Sequence, residues 1–173
     1  MDKMPLVALI FQGIPECIVY IALGSTLAGA PLRRPKVVAA GVILSLALYF
    51  VRSLPLPYGV HTLTGVITAW LLIFLFFRTP PLVAATASLL TGTFLLCLEI
   101  ILFPLAAATG SSLREIWNRP ALRILLALPQ LTVMSLATWF CVRKKINIVT
   151  PWAFSRKAEG EKKTENEDGG RRP

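Results

Sequence analysis

Residues 58–77 read YGVHTLTGVITAWLLIFLFF, a run with no Asp, Glu, Lys or Arg. Leu54-Pro55-Leu56-Pro57 precedes it and Arg78-Thr79-Pro80-Pro81 follows it, both rich in the residue that starts and stops helices. A bilayer-crossing helix needs roughly 20 mostly apolar residues. The run is that helix, and the rest of the chain repeats its grammar. Apolar stretches over residues 5–30, 37–54, 80–108 and 120–142 lie to either side. The spacing therefore predicts an all-α fold, a polytopic membrane helix bundle of about five transmembrane helices joined by short links. Short links make sequential helices antiparallel neighbours.

Composition agrees. The chain has 173 residues, of which 55% are hydrophobic, whereas soluble domains hold ~45–50% and interleave their charges. Here Glu16 and Glu99 stand alone inside apolar runs, and the other charges fall in clusters or in the tail. The bundle is expected over residues 1–145, followed by an interfacial segment and a disordered charged cytoplasmic tail over 146–173. Within the last connection, Ser112 and Glu115 match a capping box. Leu113, Ile116 and Trp117 then share one face, which predicts a short helix lying on the bilayer surface.

A net charge of +9 raises nucleic acid as a partner, but its distribution excludes that reading. Arg33, Arg34 and Lys36 separate two apolar stretches, and Arg143, Lys144 and Lys145 directly follow another. Those are flanks of the positive-inside kind. Placing them inside also places Arg78 inside, and leaves Lys3, Arg52, Arg114, Arg119 and Arg123 on the other side or near it. The expected topology is N-terminus out and C-terminus in, a multi-pass protein of the cell membrane. Ala28-Gly29-Ala30 resembles the small-residue site of a signal peptide. The preceding stretch is long for one, and it is broken by Gln12, Pro15 and Glu16, so it reads as a retained span.

Ionisable groups at membrane depth cost ~2.5–3.5 kcal/mol near a helix centre, and so they face protein or water. Gln12, Glu16 and Tyr20 recur every four residues as one polar stripe. Gly13 and Pro15 mark a helix kink, because Pro15 leaves the Phe11 carbonyl without its usual donor. Glu99 lies seven residues beyond Gly92 and on nearly the same face as the small residues Ala84, Ser88 and Gly92. His61 shares a face with Gly65. Gly41, Ser45 and Tyr49 form a further stripe leading to Arg52, and Gln130 repeats the face of Arg123 after seven residues. At ~1.5 Å per residue, Glu16 falls roughly 16 Å below the outer end of its span and Glu99 roughly 13 Å below the same surface. Glu16, Glu99, His61, Gln12, Arg52, Arg123 and Gln130 are therefore the expected ligand or coupling residues of an outer-half site.

Catalysis is not expected. HExxH, GxSxG and Gly-rich phosphate loops are all missing from the sequence, and Cys97 points away from the Glu99 face. Three cysteines and one histidine offer no metal-ligand spacing, so neither metal nor cofactor is expected.

Residues 54–65, LPLPYGVHTLTG, taken with Ile14-Pro15-Glu16, resemble the multi-span membrane-sensor half of some bacterial histidine kinases. The resemblance implies an input module that signals to a cytoplasmic partner. It departs from that family after the last span, where too few residues remain for an ATP-binding domain. His61 is in or near the membrane, so it is not a cytoplasmic phosphoacceptor. The reading is a membrane sensor or accessory subunit for a small or lipidic ligand, with a cytoplasmic kinase or transporter chain as partner. A small subunit of a transport system, its carboxylates coupling substrate or protons, is the alternative. A structural or assembly factor is the third.

Overall fold

The computed structural model of the chain describes residues 7, 9–54, 58–107, 120–144 and 146. Among them are five long helices and no strand. Helix α1, Leu9–Leu27, opens with the π-helical turn Leu9–Gly13 and continues as α-helix over Ile14–Leu27. It is followed by α2, Arg34–Ser53; α3, Tyr58–Phe77; α4, Pro81–Ala107; and α5, Pro120–Lys144. The limits of α3 are those its sequence predicts, and the others move by a few residues. The proposed surface helix at 112–118 and the tail beyond 146 lie outside the described residues.

Proline sets the helix starts. Pro81 and Pro120 are the first residues of α4 and α5, and Pro35 is the second of α2, all in the first turn, where a missing amide donor costs nothing. Helix α1 ends instead on Gly29, whose φ of 71° lies in the left-handed region. Gly29 N–H donates to the Thr26 carbonyl and Ala30 N–H to that of Ser25, both at 2.9 Å. This pair of bonds is a Schellman motif. The triplet Ala28-Gly29-Ala30 is thus a helix end, with Ala28 buried beneath it. At the neighbouring corner Lys36 Nζ donates to the Phe76 carbonyl at 2.8 Å, placing a cation on the orphan acceptors that finish α3.

Helix α1 is the centre of the bundle. It packs against all four others, while α2, α3, α4 and α5 follow one another around it, each consecutive pair in contact. Helices α2 and α5 end the series on either side of α1, and both touch its π turn. Small residues make this closeness possible. Ala40, Ala69, Ala84 and Ala87 are wholly buried with Ile21, Ile73 and Met134. A Cβ on Gly41 would stand 2.6 Å from Ile18 Cα, so α2 lies directly on the backbone of α1. The predicted stripe Ala84, Ser88 and Gly92 is buried as expected, and Gly92 meets Tyr20 of α1 and Val66 of α3.

Polarity runs opposite to that of a soluble protein. Phe50, Leu63, Leu75, Ile100 and Leu136 are exposed, whereas Ser25, Ser45, Ser88, Thr91 and Gln130 are buried. Helices α1 to α4 are each long and apolar enough to cross a membrane, which makes the bilayer the solvent for those apolar faces and the chain a multi-pass membrane protein. In α5 the apolar residues are diluted by Gln130, Thr132, Ser135 and Thr138. Threonine is cheap in this setting because its hydroxyl bonds inside its own helix. Thr64 donates to Val60, Thr91 to Ala87, Thr132 to Leu128 and Thr138 to Met134, all at 2.7–2.8 Å.

The antiparallel order gathers Arg33, Arg34, Lys36, Arg78, Arg143 and Lys144 at one end of the bundle. There the Arg143 guanidinium lies 5.0 Å from the Trp139 ring centroid, an aromatic and a cation of the kind that anchor a helix at a membrane surface.

Candidate functional site

The site begins with two prolines. Pro15 precedes Glu16 on α1, and Pro129 precedes Gln130 within α5. Each removes a backbone donor and loosens the helix just where a polar side chain enters the bundle. In α1 a π turn, Leu9–Gly13, ends two residues before Pro15 and includes Gly13. Wide turns of this kind let a helix absorb an extra residue and occur often at functional positions.

Across the two breaks Gln130 Nε2 donates to Glu16 Oε1 at 3.2 Å. Gln130 is only 9% exposed. Two of the residues singled out in the sequence are thus partners, on the first and last helices. Measured from Leu9, Glu16 lies ~10 Å into the bundle, at 1.5 Å per residue.

Further polar residues stand on α1 and on the helices packed against it. On the π turn, Gln12 Oε1 is buried and has no hydrogen-bond partner among the described residues. Ser45 of α2 is 2% exposed, and its Oγ faces the Cys17 thiol of α1 without completing hydrogen-bond geometry. Arg52 stands in the last turn of α2. Glu99 is half-buried on α4, and Cys97 is exposed on another face, as its position on the helix predicts. His61 lies in the first turns of α3, with its Nδ1 buried and unpartnered among the described residues. Arg123 lies in the first turns of α5, and its side chain is outside the described part.

The polar stripe of α1 continues below the pair. Tyr20 Oη donates to the Ser88 carbonyl at 2.7 Å, and Ser88 Oγ donates to the Val66 carbonyl at 2.8 Å. These bonds tie α1, α4 and α3 together beneath Glu16. They leave Tyr20 a structural role, which separates it from Gln12 and Glu16 above.

Pro129 escapes a reading of the sequence, and so does the approach of Ser45, on the stripe Gly41, Ser45 and Tyr49, to Cys17. Pro129 carries a visible signal, since it stands before Gln130 as Pro15 stands before Glu16. Ser45 carries none that points to Cys17, because that approach depends on the register of α2 against α1. Comparison of the chain with family models, with curated proteins and with solved structures finds no match.

Proposed function

We propose that this chain is a non-enzymatic sensor or accessory subunit of the cell membrane. It binds a small or lipidic ligand in the outer half of its bundle and signals to a cytoplasmic partner. The N-terminus lies outside, the C-terminus inside, and α5 is the fifth span. The observation that carries this reading is the hydrogen bond from Gln130 to Glu16, 114 residues apart in sequence. A buried polar pair between helices is a poor way to gain stability, since apolar residues of similar volume often do as well or better. Polar groups placed beside broken helices inside a membrane serve binding more readily than packing. A ligand that competes for Glu16 would release α5 from α1 at the loosened turns. The basic inner end of α5, with Trp139 and Arg143, would then carry the change to the membrane surface. The likeness to kinase sensor halves fits such an input module, with the kinase or transporter on a separate chain.

Coupled transport is the second reading, favoured by a second carboxylate, Glu99, half-buried on α4. It requires substrate flux in reconstituted vesicles that Glu16→Gln abolishes.

The test is cysteine accessibility in intact membranes, on a background without Cys17, Cys97 and Cys141. Impermeant reagent applied outside should label positions flanking Glu16, His61 and Glu99. Positions near Arg143 should react only from the inside. Uniform protection around all three outer residues would overturn the binding site and leave a structural or assembly role.

A further inference from the structure

We infer that the ligand enters sideways from the outer leaflet, between α2 and α5, and that it is a single-tailed amphiphile with a primary ammonium head. This rests on the binding site proposed above and names its ligand class and its route.

The route follows from the packing. The four outer helices form a series around α1 whose ends are α2 and α5, and the π turn of α1 touches both. At that turn Ile10 and Phe11 are 55% and 63% exposed, although α1 is the most buried of the four spans α1 to α4. The first helix is therefore uncovered at this seam, at the turn that touches both ends of the series. Apolar side chains suited to an acyl tail directly precede Gln12, whose amide oxygen is buried.

The head group follows from the donors and acceptors. The three helices of the seam contribute the Glu16 carboxylate, Gln12 Oε1 and Ser45 Oγ as acceptors, and the Gln130 amide as donor. Gln12 Oε1 and Ser45 Oγ are buried, and neither is satisfied among the described residues. Buried polar atoms without partners are uncommon in finished structures, and they call for a group that completes them. A primary ammonium brings three N–H donors to these acceptors, whereas a quaternary ammonium brings none. Helix α2 also carries Arg52 in its last turn, so an anionic head is the alternative the experiment must include.

The experiment uses the full chain in nanodiscs of uncharged lipid. Four spin-labelled probes share one sixteen-carbon tail and end in primary ammonium, trimethylammonium, hydroxyl or carboxylate; free methylamine is the tail-less control. The primary ammonium probe should bind saturably and about tenfold more tightly than trimethylammonium, the value of one charge-assisted hydrogen bond. Glu16→Gln and Ser45→Ala should each weaken it severalfold while thermal unfolding shows both variants folded. Ser45→Ala removes one hydroxyl and keeps the test valid should Glu16→Gln fail to fold. Equal binding of all four heads, indifferent to both substitutions, would overturn the proposal and the binding site together. Preference for hydroxyl or carboxylate that still depends on Glu16 would overturn the head class and leave the site standing. Methylamine binding as tightly as the tailed probe would overturn lateral entry alone.

Discussion

Glu16 is half-buried and Gln130 buried, so the bond between them joins two polar groups largely withdrawn from solvent. The carboxylate oxygen takes the Gln130 amide at 3.2 Å. Replacing Gln130 by Leu keeps the volume but removes that donor from a half-buried acid, a loss of roughly 1–3 kcal/mol. Replacing Glu16 by Gln keeps a hydrogen bond without charge and should cost less. The contact is measured by the pair, since in a double-mutant cycle the effects of two touching residues fail to add. Unfolding of Glu16→Gln, Gln130→Leu and the double variant in detergent should give a coupling of about 0.6–1.7 kcal/mol, the range of membrane-buried hydrogen bonds. Zero coupling would mean that the two groups are merely near each other.

At the scale of helices the decisive contact is the one where α2 lies on α1. A Cβ on Gly41 would meet the Ile18 backbone at 2.6 Å for Cα and 2.8 Å for N. Backbone cannot rotate aside as a side chain can. Gly41→Ala should therefore separate the helices and lower stability by about 1–3 kcal/mol or more. Gly65→Ala, which meets only a flexible Leu48 methyl at 3.2 Å, should be mild by comparison. Thermal unfolding of both variants decides the matter, and equal effects would refute the close approach. The helices themselves were legible because apolar length and proline punctuation are local properties. Residues 58–77 carry both and their limits are met to the residue. The start of α1 was less so. The missing donor at Pro15 is visible, but whether the helix bends there or widens into a π turn depends on the support α2 and α5 give it. The site follows the same division. Glu16 and Gln130 each stood out as polar groups in apolar runs, yet no local pattern says that they meet.

For the whole molecule, position in the sequence and position in space are at odds. Helix α1 is first of the five in chain order, but it is the central one, and removing residues 1–30 would take away Ile21, Leu23 and Ser25 from the heart of the bundle. Its polar stripe is covered partly by α2 and α4, and the amide that meets Glu16 arrives with α5. Timing follows from this arrangement. While a ribosome is still making the fourth helix, Glu16 is already in place and the Gln130 amide that will meet it has yet to be synthesised. The chain must wait for its last helix before this contact can close its first and last spans together, and membrane insertion factors would have that interval in which to hold it. Nascent chains arrested with α5 still inside the ribosome should be digested by protease at α1, and those arrested after α5 has emerged should resist. Equal resistance at both lengths would show that the first four helices close without the fifth.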